Sequence, residues 1–178
     1  QGGAQVDAMI SRELAAGINE TIDKAVFAKA AAGAGTIVDK ADAALTSADV
    51  YAMQKAVLAA GGDLARCAFV GSPSAMEIVK GEAAVASVSA LVNNNSIDGY
   101  NTNFTPNLVD ADTGGAGLGA LLFGDFSLGM VLAFFGGIDL LVDPYSNAGT
   151  AQIALHVNKF YDVEVRQAGA LAYTKDFA

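Results

Sequence analysis

The chain has 178 residues, of which 53% are hydrophobic and 16% are charged, and its formal net charge is −9. This length is enough for one domain or two small ones with a sizeable core. Ten lysines and arginines, scattered along an acidic chain, argue against a nucleic-acid-binding surface built on general basicity. A charge-poor chain of this size is also expected to bury apolar surface beyond its own core, and oligomerisation is the simplest way to do so.

Membrane insertion and disulfide bonding are both disfavoured. The most apolar region, residues 120–142, is interrupted by Asp125, Asp139 and several glycines, so it makes a poor transmembrane helix. Residue 1 leads directly into polar, helix-forming sequence without a signal-peptide pattern. Cys67 is the single cysteine, which excludes an intrachain disulfide and a multi-cysteine metal site. We therefore expect a soluble protein.

The first half of the chain predicts helices separated by short strands. Apolar residues recur at helical spacing over residues 4–30 and predict one long amphipathic helix. Thr46 and Asp49 form the pattern of a helix start, and Pro73 after Ser72 forms another. The elements expected after the long helix are, in order, a strand over residues 36–38, a helix ending at 60, a strand over 65–70 and a helix over 73–79.

The second half is dominated by one stretch, residues 121–162, in which two extended runs flank a turn rich in Pro, Asn and Gly. This pattern predicts a long β-hairpin. The other segments predicted here are a strand over residues 100–105, a strand over 121–124, an alternating final strand over 161–173, and residues 83–92, whose composition fits either a strand or a helix.

The residues that could take part in catalysis or metal binding are better interpreted as structural. His156 is the only histidine and has no catalytic or metal-binding partner nearby in sequence, so it is interpreted as a strand-face residue. Cys67 begins an apolar segment and is interpreted as a small buried hydrophobe. The acids that could bind a hard cation lack the spacing of a calcium loop and are interpreted as solvated loop residues; they are Asp110, Asp112 and Asp125, and the pair Asp39 and Asp42.

A glycine-rich segment over residues 114–119 invites comparison with a dinucleotide-binding loop. That fingerprint requires a strand immediately before the glycines and a helix after them. Here an acidic segment precedes the glycines and a strand-like segment follows, so a flexible loop is the better interpretation. A small α/β nucleotide-binding enzyme remains as a less favoured hypothesis.

The order of several short motifs resembles that of a known family. The motifs are residues 67–73, 97–102, 123–127 with Gly-Asp-Phe, 138–145 with Asp-Pro-Tyr, and 161–165 followed by 170–172. Together they cover nearly the whole chain and resemble the HK97-like major capsid proteins of tailed bacteriophages.

This resemblance implies an α+β fold with an axial A-domain, in which helices flank a central sheet, and a peripheral P-domain. Residues 1–34 would form the spine helix of the P-domain and residues 128–160 its long hairpin. Residues 35–127 would form the A-domain, and residues 161–178 would return to it. An N-terminal arm and an extended loop precede the spine helix in this family, so the chain is expected to be a C-terminal fragment of a subunit.

The resemblance also implies a function. The chain would be a non-enzymatic subunit, without cofactor or metal, that self-assembles into the pentamers and hexamers of a phage or prophage head. Its partners would be further copies of itself, the scaffold, portal and protease proteins of the same phage, and enclosed DNA bound without sequence specificity. It would be made in the host bacterial cytoplasm and end in the virion capsid. An encapsulin-like nanocompartment shell protein is the alternative within the same fold.

Two expectations concern subunit contacts. The turn of the hairpin is the candidate contact with neighbouring subunits, and its residues are Asp143, Pro144, Tyr145, Ser146 and Asn147. Some members of the family join subunits through a Lys–Asn isopeptide bond assisted by a Glu. A rough match places Ala151 and Asn158 where that Asn and Glu are needed, so the resemblance predicts no self-crosslinking.

Overall fold

A computed structural model of the chain describes residues 3–81, 91–93, 96–108, 117–143, 145–146, 148–150 and 153–178. The chain divides into two compact units. The smaller unit contains Gln1–Asp23 and Leu132–Asp162, and the larger unit contains Lys24–Val131 and Val163–Ala178. None of the described helices is long and apolar enough to span a membrane.

The described elements follow one another as a long helix, a mixed set of short elements, two long strands and a final strand. The helices are α1 (Gly3–Gly33), α2 (Ser47–Ala59), α3 (Pro73–Lys80) and a single turn at Phe126–Gly129, with 3-10 turns at Leu64–Arg66, Ala148–Thr150 and Ala168–Ala170. The strands are β1 (Thr36–Asp39), β2 (Ala68–Gly71), β3 (Val92–Asn93), β4 (Ser96–Ile97), β5 (Tyr100–Phe104), β6 (Gly119–Gly124), β7 (Met130–Asp143), β8 (Ala154–Val165) and β9 (Leu171–Phe177).

Side-chain caps begin α2 and α3 where the sequence predicts them. Thr46 accepts a hydrogen bond from the backbone N–H of Asp49, and the Asp49 carboxylate accepts one from the backbone N–H of Thr46. At α3, the Ser72 hydroxyl accepts a hydrogen bond from the Ala75 N–H, and Pro73 occupies the first turn. These contacts satisfy N–H groups that have no partner within a helix, so both predicted starts are confirmed.

Seven of the described strands form the sheet of the larger unit, in the order β1-β9-β6-β2-β5-β4-β3. The pairs β1/β9 and β2/β5 are parallel, and the remaining pairs are antiparallel. Every residue of β6 is buried, and so is nearly every residue of β9. Both strands therefore lie in the middle of the core and are covered on two faces.

Helices cover both faces of this sheet. On one face, α2 and α3 pack against Phe69 and Phe123, whose ring centroids are 4.4 Å apart. On the other face, Ala30 and Ala31 near the end of α1 pack against Leu122. Because side chains alternate along a strand, neighbouring residues of β6 contribute to opposite halves of the core.

In the smaller unit, β7 and β8 pair as a two-stranded sheet. Since these two long strands follow each other in the chain, the predicted hairpin is confirmed. The first two-thirds of α1 belongs to the same unit, and its Leu14 and Ile18 line a cavity together with Ile138 and Val157. A single helix and a single hairpin thus make up this unit.

The prediction of one final strand over residues 161–173 is wrong. Residues 161–165 continue β8, a 3-10 turn follows, and the last strand is β9. The break occurs because the backbone carbonyl of Gly129 accepts hydrogen bonds from both Arg166 N (2.8 Å) and Gln167 N (3.2 Å), which ends the regular ladder.

The strand expected over residues 65–70 begins later than predicted. Asp63 accepts a hydrogen bond from Ala65 N at 3.0 Å and starts the 3-10 turn that precedes β2. Of the ambiguous residues 83–92, those up to 90 lie outside the described part of the chain, and Val92 belongs to β3.

Candidate subunit-contact surface

The hairpin carries exposed apolar side chains along almost its whole length. Eleven of the fourteen residues of β7 are exposed, and most of these are apolar; Met130 and Asp143 at its ends and Ala133 in its interior are half-buried. The large hydrophobic side chains exposed on β7, β8 and the hairpin turn are Val131, Leu132, Phe134, Phe135, Ile138, Leu140, Leu141, Val142, Tyr145, Ile153, Leu155 and Phe160. An apolar surface of this kind marks a site of association.

The face of the hairpin that meets α1 is only partly covered. Ile138 and Leu140 line a cavity with residues of α1, yet Ile138 is 56% exposed and Leu140 is 55% exposed. Phe134 lines a neighbouring cavity with Ile22 of the same helix. One helix therefore does not bury this face of a two-stranded sheet.

The opposite face is also apolar. Phe135 and Leu141 alternate with the residues that meet α1, and they are 58% and 60% exposed. On β8, Phe160 lies between two residues that line cavities with α1, and it is 64% exposed. Each side chain of this size contributes about 1.5–3 kcal/mol when it is fully buried. Covering this face with another protein surface is therefore strongly favourable.

The turn of the hairpin is organised by Asp143. Its Oδ1 accepts hydrogen bonds from Tyr145 N (2.8 Å) and Ser146 N (3.1 Å), and its Oδ2 accepts one from the Ser146 hydroxyl. The Ser146 hydroxyl, followed by the two backbone N–H groups, lowers the pKa of the Asp143 carboxyl. The Tyr145 side chain is 85% exposed. Pro144 and Asn147 of the predicted contact set lie outside the described residues.

His156 and Cys67 lie where the sequence predicts them, on a strand face and in a buried position, respectively. His156 is exposed on β8, and its interaction with Asp143 adds a minor part to the lowered pKa of that carboxyl. Cys67 is buried, and its thiol donates a hydrogen bond to the Asp63 carbonyl at 3.3 Å. Burial, with Asp125 and Asp63 nearby, raises the pKa of the Cys67 thiol to about 11. A thiol with such a pKa carries almost no thiolate at neutral pH and is a poor nucleophile.

Two of the acids considered as cation ligands, Asp125 and Asp39, form contacts within the fold. Asp125 accepts hydrogen bonds at the start of the turn Phe126–Gly129, and Asp39 forms an ion pair with Lys175 at 3.2 Å. In the described part of the chain, no three acids, histidines or cysteines come together as metal ligands do. Asp110, Asp112 and residues 114–116 of the glycine-rich segment lie outside that part, while Gly119 begins β6.

The exposure of both faces of the hairpin was not predicted from the sequence, although the sequence of β7 contains a signal for it. Apolar residues occupy consecutive positions through most of β7, whereas a strand with one face in water alternates apolar and polar residues. Such a run is typical of a strand that is covered on both sides. In the isolated chain that cover is incomplete, so the pattern points to a partner surface.

Comparisons with solved structures show where this fold occurs. A structure from Mycobacterium phage Che8 has a TM-score of 0.64 and 14% sequence identity, and the match covers 93% of this chain and 61% of that one. The capsid of an empty GTA particle has a TM-score of 0.53 and 21% identity, and the match covers 80% of this chain and 50% of that one. These likenesses confirm the predicted HK97-like α+β fold, and the chain spans between half and two-thirds of the length of these relatives.

Comparison with curated proteins gives no significant match. The structural matches are to phage and GTA particles, and they do not favour the encapsulin-like shell or the nucleotide-binding enzyme. The model of the phage capsid family matches residues 2–176, which is nearly the entire chain. The chain therefore belongs to the phage capsid family.

Proposed function

We propose that the chain is the core of a major capsid subunit that associates with copies of itself into pentamers and hexamers and so builds the head of a tailed phage or prophage. Membership of the phage capsid family carries this proposal. The exposed apolar hairpin supports it, because that surface is unfavourable in water and becomes favourable when a neighbouring subunit covers it.

The mechanism of such a subunit is geometric, and the protein needs no catalytic group for it. Identical chains with complementary contact surfaces close into rings and shells when the rotation between neighbours closes. The net charge of −9 suits a container for DNA that does not bind its contents by sequence. Scaffold, portal and protease proteins of the same phage are proposed partners, and assembly is proposed to take place in the host cytoplasm.

We assign the domains as the family resemblance implies. Residues 35–127 and 161–178 form the axial domain, which surrounds the centre of each pentamer or hexamer. Residues 1–34 and 128–160 form the peripheral domain. The division of the chain into two compact units supports a similar assignment, with boundaries near residues 24, 132 and 163. Within the peripheral domain, Tyr145 and its neighbours at the hairpin turn form a contact between subunits.

Electron microscopy of particles tests this function. The complete reading frame that contains this sequence is expressed, and the product is separated by size. We expect rings or closed shells far larger than a single chain. Species no larger than a few chains, even at high protein concentration, would overturn the capsid proposal. The same preparation, examined by denaturing electrophoresis, also tests the absence of self-crosslinking, because crosslinked subunits would migrate as a ladder.

A further inference from the structure

Backbone strain in the larger unit is concentrated where strand β1 ends beside strand β9. In the described part of the chain, four non-glycine residues have a positive φ. Three of them lie here, with φ values of 46° for Ala41, 69° for Asp42 and 55° for Asp176. Residues with a Cβ atom rarely adopt this left-handed conformation, because the Cβ clashes with the backbone. Such residues persist only where the surrounding structure holds them in place.

The first two strained residues form the centre of a tight turn. The Ala43 N–H donates a hydrogen bond to the Lys40 carbonyl at 2.9 Å, and the two residues between them both have a positive φ. A turn of this type favours Asn-Gly at its centre, whereas this chain has Ala41 and Asp42 there. Both side chains are exposed, so their burial does not compensate for the strained backbone.

The third strained residue lies in a bulge of β9. Leu121 of β6 pairs with Thr174 of β9. Two residues earlier on β6, Gly119 pairs with Phe177, which is three residues after Thr174, so β9 contains one extra residue here. Glycine commonly takes the left-handed position of a bulge, but here Asp176 takes it and is buried. The hydroxyl of Thr174 is also buried and has no hydrogen-bond partner among the described residues, which destabilises this segment further.

Backbone hydrogen bonds and ion pairs join the turn to the bulge. Lys40 N donates to the Lys175 carbonyl at 3.0 Å, and Asp42 N donates to the Asp176 carbonyl at 2.9 Å. The ammonium of Lys175 lies 3.2 Å from a carboxylate oxygen of Asp39 and 3.1 Å from one of Asp176. Strand β1 has four residues and lies at the edge of the described sheet, next to β9. These contacts are therefore a large part of what holds β1 in place.

We infer that the turn at residues 40–43 and the bulge at Asp176 form a strained clasp, closed by Lys175, and that β1 detaches from β9 as a unit when the clasp opens while the rest of the sheet stays folded. The strain raises the free energy of the closed clasp and is relieved when it opens. Opening uncovers backbone groups of β9 that β1 otherwise pairs, and so creates a new sheet edge. This property belongs to the single chain and does not depend on the proposed function.

Amide hydrogen exchange of the complete, unassembled protein tests the clasp. The double substitution Ala41→Asn and Asp42→Gly gives the turn the residues that its backbone conformation favours. After correction for intrinsic exchange rates, the amides of residues 40 and 42 should exchange about fivefold more slowly or less, relative to the amides of β6, which report global opening. Lys175→Met removes both ion pairs and retains an apolar stem, and it should accelerate exchange at the same two amides by about tenfold.

The amides of β1 that are protected by pairing with β9 should change to the same extent in each variant, because the strand detaches as a unit. A change confined to residues 40–43 would overturn the detachment of β1. A change of the same size in β6 would overturn it as well, since β1 would then open only with the whole sheet. Unchanged exchange in both the double variant and Lys175→Met would overturn the clasp itself.

Ala43→Gly and Lys55→Met are the matched controls. Ala43→Gly places a glycine in the same turn at a position without a positive φ, so it relieves no strain and should not slow exchange at residues 40 and 42. Lys55→Met removes an exposed lysine of α2 and should leave exchange at these amides unchanged. Slower exchange in Ala43→Gly would contradict strain relief as the cause of the effect of the double substitution.

Discussion

At the scale of single residues, short polar side chains decide where elements begin. Asp125 is 2% exposed and joins β6 to the turn that follows. Its Oδ1 accepts hydrogen bonds from Ser127 N at 3.1 Å, Leu128 N at 3.2 Å and the Ser127 hydroxyl at 2.6 Å. The Ser127 hydroxyl is the main cause of the lowered pKa of Asp125, and burial partly offsets it. The ionised carboxylate is therefore part of the folded structure.

The substitution Asp125→Ala should lower the free energy of unfolding by about 1–2 kcal/mol at pH 7. A carboxyl whose pKa is lowered by folding stabilises the protein above its unfolded pKa of about 3.9, and this contribution is lost as the pH falls through the lower folded pKa. The difference in the free energy of unfolding between variant and wild type should therefore narrow as the pH falls from about 5 to about 3, because this range lies around the unfolded pKa. Urea unfolding at several pH values measures it.

Asp139→Ala, at an exposed position on β7, is the control for this measurement. Its effect should stay within about 0.5 kcal/mol at each pH. A loss for Asp125→Ala that is the same at pH 7 and at pH 3 would contradict a role for the ionised carboxylate.

At the scale of elements, one buried hydroxyl joins a helix to the sheet. Ser72 is fully buried, and its Oγ accepts hydrogen bonds at 3.1 Å from Ala75 N of α3 and from Ala120 N of β6. The backbone N–H of Ser72 also donates to the Ala120 carbonyl at 3.0 Å. The start of α3 is thereby tied to a central strand that is 48 residues away in sequence.

The substitution Ser72→Ala should lower the free energy of unfolding by about 2–4 kcal/mol, because it leaves two buried N–H groups without their acceptor. Ser74→Ala, two residues later on the same helix, is the matched control and should change stability by less than about 0.5 kcal/mol. Thermal or urea unfolding measures both. Equal small losses for the two variants would mean that water or a backbone shift replaces the Ser72 contact.

At the scale of the whole molecule, the apolar surface is distributed unevenly. The larger unit has a core on both faces of its sheet, with side chains such as Phe69, Phe123 and Phe177 fully buried. The smaller unit leaves comparable side chains, among them Phe135 and Phe160, more than half exposed. The proposed association would cover these side chains. The mutational signature of a contact residue is a loss of assembly without a loss of stability.

Tyr145→Ala should show this signature. The Tyr145 side chain is 85% exposed, so its removal should change the free energy of unfolding by less than about 0.5 kcal/mol. As an aromatic residue at a proposed contact, its removal should lower the yield of particles by about tenfold, which corresponds to about 1.4 kcal/mol per contact. Sedimentation of the complete protein measures the yield.

Tyr51→Ala is the control for Tyr145→Ala, because Tyr51 is a 48% exposed tyrosine on α2 and is not one of the proposed contact residues. It should leave the yield of particles unchanged. Particle yields that fall equally in both variants, or in neither, would contradict the hairpin turn as a contact between subunits.

Elements with local signals were predictable, and elements defined by distant contacts were not. The cap at Thr46 and the Ser72-Pro73 start lie within a few residues of the helices they begin, so the pattern is visible in sequence. The break between β8 and β9 depends on the Gly129 carbonyl, which is far away in the chain. The candidate contact at residues 143–147 follows from resemblance, and its role stays a prediction.

The sequence by itself determined the long amphipathic helix, the hairpin and, through the order of its motifs, the capsid family. Helical periodicity, turn residues and caps are local properties that survive without knowledge of the fold. Only the tertiary structure decided which strands share a sheet and which apolar residues remain uncovered. Burial depends on what packs against a side chain, and Leu122 of β6 and Leu141 of β7 look alike in sequence although one is fully buried and the other is 60% exposed.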